Sequence, residues 1–379
     1  MKVRLFKPCV GSEELEAIQG AFSRAWLGLG EKVYEFESAW STYIGARSSI
    51  GVNSGTAALH MALAAYRFPR GKKVLVPAIT FVSSAVAALY NGLEPIFVDV
   101  DEETLGMDIE DMERKITPDT VAIVAVHMGG HPLPMEQINE VARKHNLKVI
   151  EDCAHCAGGE LNGKKLGTWG DIGCFSFEEK KGMTTGDGGM MSSDDIELME
   201  YIKPMRWVGI DKDTWKREDR YYDAGSSAMH WYYDISLVGY KYNMNDLCAS
   251  IGLAQLPKLD TFNANKRRAI KRYIEGLSSA RTVRPLLPYD TEGNSAYWIM
   301  GVRTQKRDEL ILHLKKNDIA TSVHYTPLTM QPLFKGHDEP VPVAERIYGE
   351  MITLPLYADI SDEEVDYVVE NILAFDKTM

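Results

Sequence analysis

Residues 171–190, DIGCFSFEEKKGMTTGDGGM, combine the residue types that covalent chemistry on an amine needs. An apolar run from Ile172 to Phe177 reads as a strand. It ends in a charged cluster with two adjacent lysines, Lys180 and Lys181. A Thr-Thr-Gly-Asp-Gly-Gly turn then leads to a second apolar start at Met190. An amine is a nucleophile only when neutral, and burial or an electropositive pocket drives it toward that state. A lysine held at a strand tip beside glycines is placed for such a role. The plainer reading of the same residues is an exposed, solvated turn.

The elements that would position this lysine recur along the first half of the chain. Residues 11–24 and 31–44 have helical spacing and flank a turn at Gly28 to Gly30. Ile50 to Val52 reads as a strand, followed by Ser54-Gly55-Thr56 and an apolar helix. A strand, small hydroxyl residues and a helix N-terminus form an anion-binding arrangement, because the first-turn N–H groups are free and the helix dipole favours negative charge. Ser54 and Thr56 could equally serve as simple caps. Further strands are expected at Lys73–Pro77, Pro95–Val100, Val121–Val126 and in KVIED, with Phe81 just after one, His127 at the end of another, and Glu151, Asp152 and His155 at the last. The run Val121–Val126 is fully apolar and too short for a helix, the pattern of a strand buried on both faces.

Apolar strands alternating with helices predict an α/β fold with a mostly parallel sheet, and ligands of such sheets bind outside the carboxyl ends of the strands. Ser54–Thr56, Phe81, His127, Asp152 and the Lys181 region would then share one edge. Beyond residue 195 the texture changes. Residues 205–235, rich in charge and aromatics, read as a long surface excursion that could grip a substrate or cover an interface. Helices are expected over 245–257 and 261–278. The remainder reads as a smaller α+β domain, so the expected division is 1–257 and 258–379.

Bulk properties exclude several classes. The chain has 379 residues, 45% of them hydrophobic and 25% charged, enough for a sizeable core. A net charge of −12 argues against a nucleic-acid or anionic-membrane partner, though a phosphorylated small molecule remains compatible. The N-terminal MKVRLFKPCVGSEE lacks an apolar leader segment and no apolar run is long enough to span a bilayer, so a cytoplasmic protein is expected. Five scattered cysteines read as reduced thiols. Cys153 and Cys156 form a C-x-x-C, but a metal site would need a second ligand pair at matching spacing, so no metal is expected.

Pyridoxal phosphate (PLP) requires such a set of groups. Its enzymes use a lysine as covalent anchor, an acid that keeps the pyridine nitrogen protonated, a phosphate cradle and a flat group stacked on the ring. Lys181, Asp152, Ser54–Thr56 with Ser176, and Phe81 supply one of each. Taken singly, each has a structural alternative: Asp152 as a cap, Phe81 as core, Ser176 facing solvent.

The chain resembles the DegT-type PLP-dependent sugar aminotransferases, of the fold type I, aspartate aminotransferase-like group. The resemblance lies in NSGTAALHMAL at 53–63, VPAITFVSSA at 76–85, GLEPIFVDVDEETLGMD at 92–108 and KVIEDCAHCAGG at 148–159. It continues through GTWGDIGCFSFEEKKGMTTGDGGMM at 167–191, GYKYNMNDLCASIGLAQLPKLD at 239–260, VHYTPL at 323–328 and ITLPLY at 352–357. It implies a seven-stranded-type sheet and selects Lys181, not Lys180, as the lysine that holds PLP as an internal aldimine. It assigns Ser54, Gly55, Thr56 and Ser176 to the phosphate, Phe81 to the ring face and Asp152 to the ring nitrogen. It implies a homodimer in which Asn243, with Lys241, completes the partner's site. His324 and Tyr325 fall near the sugar site, or pack the small domain.

Three departures bear on these assignments. His155 stands where the family carries a glutamine that contacts the PLP 3-oxygen, a role histidine can also fill as a donor. Glu178, Glu179 and Lys180 replace smaller or less charged residues, and Glu178 is expected near substrate. The turn reads Gly-Asp-Gly-Gly for Gly-Glu-Gly-Gly. The expected function is amino transfer from L-glutamate to a keto-sugar, as a nucleotide-linked 3- or 4-keto-deoxy-sugar. A PLP-dependent dehydratase or lyase, a cyclitol or keto-phosphate acceptor, and a non-enzymatic PLP- or sugar-nucleotide-binding regulator are the alternatives. Dehydratase relatives carry histidine in place of the lysine, so Lys181 favours transamination.

Overall fold

The computed structural model describes residues 1–211, 231–337 and 339–378. Its centre is a seven-stranded sheet of β1 (Ser48–Val52), β2 (Lys73–Pro77), β3 (Glu94–Val98), β4 (Thr120–Val126), β5 (Lys148–Asp152), β8 (Ile172–Ser176) and β9 (Gly189–Ser193), in the order β1-β9-β8-β5-β4-β2-β3. Two short strands, β6 (Glu160–Leu161) and β7 (Lys164–Lys165), form a separate hairpin. The pairs β3–β2, β2–β4, β4–β5 and β5–β8 are parallel, while β9 runs antiparallel to both of its neighbours. The reason is local. Residues 177–188 join β8 to β9 without a crossover helix, and a connection of that kind returns the chain antiparallel. This return loop carries Lys181.

Two helices, α1 (Ser12–Ser23) and α2 (Glu31–Ile44), precede the sheet, close to their expected ranges. Strand alternation divides the core. Val74, Val76, Ala122, Val124 and Ile150 face one apolar cluster with the helices α3 (Gly55–Ala65) and α4 (Ser83–Tyr90). Leu75, Ile123, Ala125 and Val149 face the other, against a helix at Met135–His145 that buries Met135, Ile138, Val141 and Ala142. Both faces are covered, as the unbroken apolar strands require. Several expected boundaries shift. The strand expected at 95–100 is Glu94–Val98, and the helix expected over 261–278 is Leu259–Gly276. That helix stacks almost directly on Asp246–Gln255 through a 3₁₀ turn at Leu256–Lys258.

The C-terminal part holds a three-stranded antiparallel sheet of β10 (Arg284–Pro285), β11 (Met300–Arg303) and β12 (Met351–Leu354). The helices Leu259–Gly276, Arg307–Lys316 and Asp362–Asp376 surround its own apolar cluster, which also contains Val3. The N-terminal segment is pinned there: Val3 N–H donates to Asp318 O, Ala320 N–H to Val3 O and Leu356 N–H to Leu5 O. Most of the excursion at 205–235 lies outside the described residues. Among the described residues no helix is long and apolar enough to cross a membrane.

Candidate active site

A cavity of about 770 Å³ opens at the carboxyl ends of the strands. Its wall contains Ser54, Gly55, Thr56, Phe81, Asp152, His155, Ser176, Glu178, Lys181, His324 and Tyr325. Residues scattered along the chain from Ser54 to Tyr325 thus meet at one site. Lys241 and Asn243 are not in that wall. They lie beside the end of β1, where Asn243 bridges Val52 and Lys241 Nζ donates to Asn243 Oδ1 at 2.7 Å.

The phosphate-type corner forms where β1 turns into α3. Ser54 Oγ accepts from Ala57 N–H as the helix N-cap, and Thr56 Oγ1 pairs with Ser83 Oγ at 2.6 Å. Gly55 and Thr56 carry the first two N–H groups of α3, which a helix leaves without internal acceptors. A side chain at Gly55 would put its Cβ 2.9 Å from Ser176 Cβ, so glycine is what lets the two strand ends close on this corner. Phe81 projects into the cavity with 51% of its surface exposed, a large apolar face free to be covered.

Asp152 ends β5 between β4 and β8 and is 5% exposed. Ser84 O–H donates to its Oδ2 at 2.8 Å and Ala154 N–H to its Oδ1 at 3.1 Å. Because the Ser84 proton is used there, the 2.8 Å contact with Thr80 Oγ1 must have Thr80 as donor. Burial raises the Asp152 pKa, with the Ser84 bond opposing that rise. No basic side chain pairs with this carboxylate among the described residues. A buried carboxylate that faces a cavity without a counter-cation fits a cationic ligand group.

Lys181 lies near the tip of the return loop, which Phe177 N–H to Gly188 O and Thr185 N–H to Phe177 O close. Its ammonium sits 4.1 Å from the Trp298 ring centroid. Desolvation lowers its pKa to about 8, against the raising fields of Glu178 and Asp152. Lys180 also borders the cavity, but its Nζ lies 3.8 Å from both Glu178 and Glu179.

Trp298 is the main residue that sequence reasoning missed. It stacks on Phe6 at 4.9 Å and on His155 at 4.1 Å, and its Nε1–H donates to Lys180 O at 2.7 Å. In the sequence Trp298 sits in the run YWIMGV, which reads as a core strand, whereas the observed strand begins only at Met300. The pair Thr80 and Ser84 was also missed, although four-residue spacing at a helix start could have suggested it.

His155 has a defined tautomer. Gly129 N–H donates to Nδ1 at 3.3 Å, so the neutral ring carries its proton on Nε2, 3.3 Å from Tyr325 Oη. Burial pushes its pKa well below the usual histidine value, with the Lys181 charge adding to that. His324, whose Nδ1 lies 2.9 Å from Thr353 Oγ1, is lowered to about 4, again chiefly by burial. We therefore expect that neither ring titrates between about pH 6 and 8. Long-range ¹H–¹⁵N correlation spectra of labelled protein check this: a protonation step in either ring within that window contradicts the geometry.

His127, expected at the shared edge, belongs to the core. It is fully buried, accepts from Leu133 N–H at Nδ1 and meets Glu151 Oε2 through Nε2 at 3.1 Å. Glu151 in turn accepts from the backbone N–H groups of Gly167, Trp169 and Gly170. Glu151 and Asp152 are neighbours on one strand and so point to opposite faces. His127, Cys153 and Cys156 converge within 4.8 Å, but both histidine nitrogens are engaged and burial holds both thiols protonated.

Known proteins resemble this chain over nearly its whole length. Residues 8–373 fit the DegT/DnrJ/EryC1/StrS aminotransferase family. The chain is 36% identical to the spore coat polysaccharide biosynthesis protein SpsC of Bacillus subtilis, over 96% of this chain and 95% of that protein. It is 34% identical to GDP-perosamine synthase of Escherichia coli O157:H7, over 98% of both. The structure of S. venezuelae DesV in complex with a ketimine intermediate superimposes with a TM-score of 0.87 at 26% identity, covering 97% of this chain and 95% of that one. A family match over nearly the whole chain, on a fold type I scaffold with a cavity at the strand ends, identifies this chain as a member of the DegT/DnrJ/EryC1/StrS family and a PLP-dependent aminotransferase.

Proposed function

We propose that the enzyme moves an amino group from L-glutamate to the keto carbon, C3 or C4, of a nucleotide-linked deoxy-sugar, within a homodimer whose sites are completed in trans. The observation that carries this reading is Asp152. Its buried carboxylate has no ion-pair partner among the described residues and shares a cavity with a desolvated lysine and a helix N-terminus. That set fits the pyridinium, aldehyde and phosphate of PLP together. When bound, the cofactor supplies an electron sink for breaking the bond to the donor Cα proton.

The chain's own residues do the rest. Gly55 and Thr56 N–H, with Ser54 and Ser176, hold the phosphate on the α3 dipole. Phe81 covers one ring face. Asp152, kept in place by Ser84 and Ala154, holds the proton on the ring nitrogen. His155 presents Nε2–H toward the 3-oxygen. Lys181 anchors the cofactor, and its freed amine takes the proton from the donor Cα and delivers it to the cofactor C4′ carbon. Glu178, His324 and Tyr325 border the space left for the substrate.

Support for the dimer is the surface around Lys241 and Asn243. Val238 is 87% exposed and Ile235 67%, which suits cover by a second copy. The sugar class is supported by what the relatives are named for, and the carbon aminated rests on family resemblance.

The test is an absorbance titration of the PLP-loaded protein. Excess L-glutamate is expected to convert the lysine-bound cofactor band to that of pyridoxamine phosphate, and a 4-keto-6-deoxy nucleotide-sugar is expected to restore it. A spectrum indifferent to glutamate removes that donor, or the transaminase reading itself. Restoration by a cyclitol ketone and not by keto-sugar nucleotides replaces the acceptor.

A further inference from the structure

Lys266 occupies a core position. On the helix Leu259–Gly276 the inward-facing residues include Leu259, Phe262, Asn263, Lys266, Ala269, Ile270 and Tyr273, the spacing of a buried stripe. Lys266 is 5% exposed. A lysine is almost never this buried unless paired, yet it makes no hydrogen bond or ion pair with the described residues. Its Nζ lies against Gly182, 3.7 Å from where a Cβ would stand.

Lys266 and Gly182 both line a small cavity of about 20 Å³ behind the loop that carries Lys181. A volume of that order holds one water-sized particle. The charged groups on its wall are mostly cationic: Lys7, Lys180, Lys181 and Lys266, against Glu179, with Cys9 and Tyr357 as the other titratable groups. Lys7 is neutralised by Asp359 at 2.5 Å, and Lys180 lies near Glu178 and Glu179. Lys266 is left facing the cavity without a counter-charge. Burial, with the Arg267 charge adding to it, lowers its pKa to about 7, so a modest gain from an anion is enough to keep it charged at neutral pH.

We infer that this cavity is a binding site for a monatomic anion, chloride in solution, held by the Lys266 ammonium next to Gly182. The small volume favours a monatomic anion over sulfate, phosphate or a carboxylate. The small cavity shares Phe6, Lys180, Lys181 and Trp298 with the substrate cavity, but Lys266 and Gly182 line only the small one, and the inference does not depend on which donor or acceptor the enzyme uses.

The experiment is bromide substitution in the PLP-loaded full chain. Crystals soaked in sodium bromide, with data collected at the bromine edge, are expected to show an anomalous peak about 3.3 Å from Lys266 Nζ, a charge-assisted contact lengthened by the larger ion. In Lys266→Met, which keeps the unbranched stem, the peak is expected to be lost. In parallel, the thermal midpoint of the wild type is expected to rise by roughly 2–4 °C in sodium chloride over sodium gluconate at equal ionic strength. Lys266→Met is expected to show no such difference. A water molecule only, with no anomalous signal in the wild type, overturns the inference. So does a chloride-specific rise that survives in Lys266→Met. If that variant does not fold, the wild-type anomalous map decides by itself.

Discussion

Replacing Lys181 by alanine is expected to lower amino transfer by at least about a thousandfold, since one substitution removes both the proposed covalent anchor and the proposed proton carrier. PLP still binds, because the α3 corner and Asp152 remain, but borohydride no longer fixes it to the chain. In the wild type, borohydride reduction followed by peptide mass spectrometry is expected to label Lys181. Lys180→Ala leaves that labelling intact, since the Lys180 ammonium lies by Glu178 and Glu179. Labelling of Lys180 instead would reverse the assignment. The pH dependence follows from the same burial. Desolvation lowers the Lys181 amine to about 8, so only the minor neutral fraction reacts at lower pH. Condensation of the apoenzyme with PLP accelerates about tenfold per pH unit between roughly pH 6 and 7 and levels off above about pH 8. A profile that stays flat from about pH 6 to 9 would place the reactive amine elsewhere.

Asp152→Asn has the second largest effect. The amide keeps the shape and can still accept from Ser84, but it has no charge to hold a proton on the ring nitrogen. Single-turnover conversion by the proposed donor, glutamate, is expected to fall by roughly 10²–10⁴. Stability moves the other way in the cofactor-free protein. Burial raises the Asp152 pKa, so its charged form is disfavoured in the fold, and the stability linked to this group declines as pH rises through the folded value. Removing the charge raises the apoenzyme melting temperature at neutral pH, and the gain shrinks or reverses once PLP supplies the cation. Melting curves of both proteins with and without PLP measure this. If the Asp152→Asn apoenzyme melts below the wild-type apoenzyme, the carboxylate is satisfied by the protein itself. Stability spent at a site in this way is expected where a charge awaits a ligand.

Asp152 also illustrates why parts of the site were legible. A strand that ends in an acid delivers that acid to the sheet edge wherever the strand lies in the order, and the same holds for Ser54–Thr56 and for Lys181. Only local periodicity and the parallel-sheet rule are involved. His127 met the same rule and failed it, because the face on which a strand-end residue emerges depends on register with neighbouring strands. His127 turned inward to Glu151, and that carboxylate was already committed to three backbone N–H groups across 16 to 19 residues.

The sequence by itself determined the layered α/β architecture and the strands whose ends meet at the cavity, which depend on residues close together in the chain, and through family resemblance it put forward Lys181, Asp152 and Ser54–Thr56 as candidates. The tertiary structure decided what depends on distant partners. It set Trp298, from the C-terminal part of the chain, between Phe6 and His155, and chose the His155 tautomer through Gly129 N–H. It aligned Thr80 and Ser84 behind Asp152, and buried Lys266 where its helix crosses the Lys181 loop. Desolvation and long-range hydrogen bonds arise only when segments far apart in sequence pack together, and they shift the pKa values of Asp152, His155, Lys181 and His324.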